Sequence, residues 1–230
     1  MSVRRFKTIF LLFLLAVTLH AAPARAADSL CGHPARPAID VTVISAPVAF
    51  DTKRTKEELA LLEINTASPW PQAYHTIVGG VMQGKISADH KISFNRASDK
   101  ADGTGCVWFN KIEVTLRIDP KIYIAGELRN NSCWFRAVFA HEVRHAEEDL
   151  ALMGKFGTQI NGGLHLAFNT PADYSSGNVP LVVIDALQKR MEGDVTQILN
   201  VMLEMMMRER AQRQQAIDSL NEYVRINSQC

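Results

Sequence analysis

His141 and His145 stand four residues apart, and Glu142 directly follows the first of them. On a helix, residues four apart share one face, so both imidazoles can reach one metal ion. Zinc accepts such nitrogens at about 2.0–2.1 Å and lowers the pKa of its water to about 7. Glu142, displaced around the helix, is placed to take a proton from that water without being a ligand itself. It can then pass the proton to a leaving amine. The segment therefore points to peptide-bond hydrolysis, with His141 and His145 as ligands, Glu142 as general base and Zn2+ as cofactor. In a chain of 230 residues with seven histidines, such a pattern arises by chance about 0.01 times.

A third ligand is needed, and the run Ala146-Glu147-Glu148-Asp149 does not supply an obvious one. Glu148 lies on the correct face but roughly 7–8 Å along the axis from the middle of the histidine pair. It suits support of a histidine better than ligation. A carboxylate from a later helix is the alternative, and Asp185, Glu192 and Asp194 are the candidates. Glu192 borders the apolar stripe of that helix and is taken as the third ligand; His165 is the other choice. Tyr123 and Tyr174 are candidate donors to a developing oxyanion. His33, His75 and His90 have no partner spacing.

These residues need elements to hold them. Asn131 or Ser132 caps a predicted helix from about Cys133 to Leu152 that carries the motif. Gly154 and Gly157 stop it, and residues 154–180, with five glycines and two prolines, read as an irregular connection. A long helix follows over 181–225. Its apolar stripe is Ile184, Leu187, Met191, Val195, Ile198, Met202 and Met205, and its Arg- and Gln-rich last third is expected to be exposed. Upstream, Val41–Phe50, Tyr74–Met82 and Lys85–Phe94 read as strands. Thr55 and Glu58 have the spacing of a capping box for a short helix that ends at Ser68-Pro69-Trp70-Pro71. The alternation of Val107, Phe109, Ile112, Val114, Leu116 and Ile118 predicts a half-buried strand, followed by a hairpin turn at Asp119-Pro120 and a second strand over 121–127. The expected fold is α+β, an antiparallel sheet with the motif helix and a long C-terminal helix, in one domain over 27–230.

Residues 1–26 read as a signal peptide. Arg4, Arg5 and Lys7 precede an apolar run, and Ala24-Arg25-Ala26 matches a cleavage site. No later stretch is apolar and long enough to span a membrane. The leader holds four of the 25 basic residues, which leaves 21 against 24 acidic ones. That balance lacks the basic face a nucleic-acid partner calls for. The expected location is periplasmic or secreted, and four cysteines allow two disulfides there. A hairpin at Asp119-Pro120 would pair Cys106 with Cys133, leaving Cys31 for Cys230.

The chain resembles a family of exported bacterial proteins of unknown function that carry a zinc-peptidase motif of zincin type. The resemblance spans about 50–152. It rests on Thr55-Lys56-Glu57-Glu58-Leu59 after a strand, Gly105-Cys106 before Val107–Ile118, Pro120 before a second extended segment, and Trp134 before His141-Glu142-Val143-Arg144-His145. Many members carry glycine where this chain has Arg144. The resemblance implies a zincin-like domain acting on a peptide or protein. The competing expectation is a non-enzymatic periplasmic protein that binds zinc, or binds a partner through its C-terminal helix.

Overall fold

The computed structural model describes residues 31–62, 66–67 and 78–230. The expected leader, the turn at Ser68-Pro69-Trp70-Pro71 and the first half of the expected strand Tyr74–Met82 lie outside the described residues. In chain order the elements are β1 (Ala38–Ser45), β2 (Ala49–Asp51), α1 (Lys56–Ala60), β3 (Gly80–Asp99), β4 (Thr104–Ile124), α2 (Ser132–Ala167), α3 (Pro171–Tyr174), β5 (Val179–Pro180), α4 (Ile184–Ile217) and α5 (Leu220–Gln229). Short 3-10 turns sit at Gly126–Asn130 and Leu181–Val183.

β4 is the spine of the sheet, because every other strand pairs with it. β3 covers one edge in an antiparallel hairpin running from Asp99↔Thr104 to Gly80↔Ile124. Along the opposite edge lie β5 (antiparallel), then β1 and β2, both parallel to β4. The α+β class holds, but the sheet is mixed, which corrects the expected antiparallel sheet. The error lay at Asp119-Pro120. Proline there does not turn the chain; it lies within β4, four residues before its end, opposite Gly84. Its missing N–H falls in the gap where β1 ends at Ile118 and β2 begins at Lys121, a position where a strand tolerates proline.

The disulfides change with it. Cys31 joins Cys106, and Cys133 joins Cys230. Cys106 lies near the start of β4 and Cys133 in the first turn of α2, past the other end of that strand, with roughly 60 Å of extended β4 between them. The expected Cys106–Cys133 and Cys31–Cys230 bridges are therefore both replaced.

The capping signals are present. Glu58 N–H donates to Thr55 Oγ1 (3.2 Å) and Thr55 N–H to Glu58 Oε2 (2.8 Å). Trp134 N–H donates to Asn131 Oδ1 (3.3 Å) at the start of α2. α2 continues through the expected stop at Gly154 and Gly157 and runs for 36 residues to Ala167. Residues 154–167 of the expected irregular loop are helical. Gly157 serves close packing rather than termination: a Cβ there would stand 2.6 Å from Val43 Cγ2 on β1.

One face of β4, with Val107, Phe109, Ile112, Val114, Leu116 and Ile118, packs on Leu152, Met153, Phe156, Ile160 and Leu164 of α2 and on Met191, Val195, Leu199 and Met206 of α4. In the stripe of α4 it is Met206 that is buried, while Met205 is exposed. The expected single helix over 181–225 breaks at Asp218-Ser219. Ser219 caps α5 by accepting from Glu222 N–H (3.4 Å). The break turns the chain beside the motif.

Candidate metal centre

α2 presents His141 and His145 on its inner face, and both are buried (4 % and 6 % exposed). Opposite them stands the carboxylate of Asp218, at the break between α4 and α5. Its Oδ1 lies 3.0 Å from His141 Nε2 and 3.1 Å from His145 Nε2, and the two nitrogens are 3.2 Å apart. Ligands on a tetrahedral zinc with bonds of about 2.0–2.1 Å stand roughly 3.3 Å from one another. These three donor atoms are therefore spaced as the ligands of one small ion. His141, His145 and Asp218 can hold a metal ion.

The hydrogen bonds behind the histidines fit that use. Gln214 Nε2 donates to Asp149 Oδ1 (2.7 Å) and to the His145 carbonyl (3.1 Å). Its oxygen thus faces His145 Nδ1, to which it is hydrogen-bonded. An Nδ1–H on His145 leaves a bare Nε2 lone pair aimed at an anionic oxygen, in a buried site. That contact is met by a metal ion or, without one, by a proton on Nε2, which the Asp218 carboxylate favours. His141 Nδ1 is buried and lacks a hydrogen bond, with Glu222 Oε1 at 3.5 Å. A carboxylate behind a metal-binding histidine is the usual support for such a ligand.

The charges are held from outside. Arg225 and Arg144 both donate to Glu222 (2.6 and 2.5 Å to Oε1), and they bring its carboxyl down to about 2. Burial raises the Asp218 pKa, but its bonds to the two histidines outweigh burial and hold it well below the carboxylate range. Burial also lowers His145, yet the bond to Asp218 and that carboxylate's charge leave its pKa raised. Tyr223 donates its hydroxyl to Asp218 Oδ1 (3.2 Å) and packs on the His141 ring. Burial and the charge of Asp218 push its pKa up, so it stays a donor.

Glu142 is buried beside the histidines (5 % exposed) and accepts from the backbone N–H of Met82 on β3. Burial raises its pKa to about 7 against the opposing pull of both histidines. β3 comes this close because residue 80 is glycine: a Cβ there would stand 2.8 Å from Glu142 Oε1. In the metal-free site the carboxyl is thus shifted toward neutrality, the direction that suits proton transfer.

The other expected site residues lie elsewhere. Glu192 accepts from Gln188 Nε2 (3.1 Å), roughly 39 Å along the helix from Asp218. Asp185 pairs with Arg96 (2.7 Å), Glu148 pairs with Arg213, and His165 and Asp194 are exposed. Tyr174 donates to the Pro34 carbonyl (3.2 Å), and Tyr123 packs in a small core with Leu59 and Val81. The carboxylate that does join the histidines, Asp218, had a signal in the sequence. Arg210, Gln214, Asp218 and Glu222 recur every four residues, in step with His141, His145 and Asp149 on α2.

No protein-family model, curated protein or solved structure matches the chain. The resemblance to the exported family thus rests on its sequence motifs alone. Among the described residues, no helix is long and apolar enough to cross a membrane. The two disulfides accord with an oxidising compartment.

Proposed function

We propose that the chain is an exported zinc-dependent peptidase with His141, His145 and Asp218 as its metal ligands. The observation that carries this reading is the convergence of three donor atoms within 3.0–3.2 Å of one another, with Glu142 beside them. Structural zinc sites are closed by four protein ligands, whereas catalytic sites have three and an open position. The ligand set here has three, two imidazoles and one carboxylate, a donor mixture suited to zinc. Zinc held there supplies Lewis acidity that makes water a nucleophile near neutral pH. Glu142 takes the proton from the attacking water and delivers it to the nitrogen of the leaving amine. The Tyr223 hydroxyl spends its one proton on Asp218 Oδ1 and so orients the ligand carboxylate. The leader pattern and the two disulfides support a periplasmic or secreted location.

One observation favours a second reading, a non-catalytic metal that fastens α2 to α4. His141, His145, Asp218 and Glu142 are each no more than 6 % exposed. Zinc content and cleavage of unstructured peptides by the purified mature chain separate the two. The peptidase reading expects about one zinc per chain and cleavage that a chelator stops, with zinc retained but cleavage lost in Glu142→Gln. Stoichiometric zinc with no cleavage in the unaltered protein would favour the fastening metal. Zinc well below one per chain, unchanged by His141→Ala, would remove the metal site.

A further inference from the structure

We propose that the Cys133–Cys230 disulfide regulates this metal centre, so that tight metal binding requires the bond to be formed. The inference rests on the zinc-site reading above and concerns how that site is assembled.

The two halves of the centre come from distant parts of the chain. α2 brings the histidines, while the α4–α5 break and α5 bring Asp218, Glu222 and Tyr223. α5 has ten residues and buries only Glu222 and Ile226. A helix of that length is marginal by itself. The Glu222–Arg144 pair and the Tyr223–His141 contact tie it to α2. The disulfide closes the arrangement. Cys133 lies in the first turn of α2, eight residues before His141, and Cys230 directly follows α5. The bond therefore holds in register the helix that places Glu222 behind His141 and Tyr223 beside Asp218.

The two disulfides differ in access. Cys31 and Cys106 are 8 % and 0 % exposed. Cys133 is half-buried and Cys230 exposed. A dithiol reductant meets the second bridge first. Its thiolate attacks Sγ of Cys230 or Cys133, the S–S bond breaks, and its second thiol resolves the mixed disulfide. Two electrons and two protons pass to the cysteines, and the reductant leaves as its own disulfide. The freed α5 then loses its register on α2. Asp218, the C-cap of α4, keeps its own N–H bond to the Gln214 carbonyl and the hydrogen bond between its carboxylate and Thr66. The three ligands survive while the support behind His141 is lost. Loss of such a partner weakens metal binding about 10–100-fold rather than abolishing it.

Linkage makes the effect reciprocal. If the disulfide tightens metal binding by that factor, bound metal makes the disulfide harder to reduce by the same factor. A shift of 10–100-fold corresponds to about 30–60 mV for a two-electron couple.

The test uses the full mature chain with zinc as the probe. Competition against a chromophoric chelator compares the oxidised protein with Cys133→Ser/Cys230→Ser, which cannot bind zinc through freed thiols. The expected result is an affinity about 10–100-fold lower in the variant, with the far-ultraviolet circular dichroism and the Cys31–Cys106 bond retained. Equal affinities within threefold would overturn the proposal. Should the variant not fold, the reduction potential of Cys133–Cys230 in the unaltered protein decides. One equivalent of zinc should make it more negative by about 30–60 mV, and no shift, or the opposite shift produced by thiol capture of zinc, overturns the proposal. An oxidised protein that binds no zinc at all would instead defeat the metal-site reading and the proposal with it.

Discussion

Gln214 faces His145 with its amide oxygen because both of its N–H groups are already committed, one to Asp149 Oδ1 and one to the His145 carbonyl. Asp149 is itself fixed by two hydrogen bonds from Arg210 (2.8 and 2.7 Å), and Arg210 also reaches the Gly84 carbonyl (3.2 Å). A chain of buried polar contacts thus runs from the backbone of β3 to the His145 ring. It sets the tautomer of His145 without placing a charge directly behind it. Gln214→Leu should weaken zinc binding about 10–100-fold, measured by chelator competition. Unchanged affinity in a folded variant would show that the amide does no more than fill space.

Asp218 and Glu192 give opposite expectations. Asp218→Ala removes the carboxylate oxygen that meets both Nε2 atoms, and zinc content should fall well below one per chain. Glu192→Gln, far along α4, should leave content and affinity as they were. Zinc analysis after dialysis distinguishes the two variants. Loss of zinc in Glu192→Gln with retention in Asp218→Ala would refute the ligand set.

That contrast also marks what the sequence could disclose. The histidine pair and Glu142 are four or fewer residues apart, so helical spacing alone places them together. Asp218 is 73 residues beyond His145, and its position depends on where a helix breaks. Reading 181–225 as one helix hid the break that Ser219 caps. The Arg- and Gln-rich run after Met207 looked solvated, yet Arg210 and Gln214 are 6 % and 4 % exposed because Asp149 and His145 satisfy them. Polar residues repeating every four are the trace of a buried polar seam, and composition does not show it. The α+β class was legible from the alternation in Val107–Ile118. Strand direction was not, because the pairing partner of β4 on its second edge is β1, more than sixty residues earlier.

Gly84 sits where this seam meets the sheet. A Cβ there would stand 2.4 Å from Asp149 Oδ2 and 3.1 Å from Arg210 Nη2, so Gly84→Ala should separate the pair and lower stability. Arg210→Met removes the cation and leaves a fully buried carboxylate with, among the described residues, Gln214 as its remaining side-chain partner. Breaking a buried pair in this way costs about 3–5 kcal/mol. Urea unfolding of the metal-free protein gives the number. A loss under about 1 kcal/mol would mean that Asp149 finds water or another donor.

In Glu142→Gln the zinc should stay, since the residue is not a ligand, while cleavage should fall by about 100- to 10,000-fold, the usual worth of a general base. The same variant probes stability in the metal-free protein. Burial lifts Glu142 from 4.5 to about 7. Between those values the folded protein keeps a proton that the unfolded chain has released, so stability falls as pH rises from about 4.5 to about 7. At 1.36 kcal/mol per pKa unit the loss is roughly 3 kcal/mol. His145, also raised, adds a loss only above its ordinary value of 6.5. Glu222 acts in the other direction: held near 2, it stabilises the fold above about 4.5, and that contribution disappears as pH falls through about 2. Urea midpoints at pH 5, 6 and 7 should therefore decline in the unaltered metal-free protein and stay nearly level up to pH 6.5 in Glu142→Gln. Equal slopes in the two proteins over that range would mean that Glu142 is ionised in the folded state and is not held as a neutral acid beside the histidines.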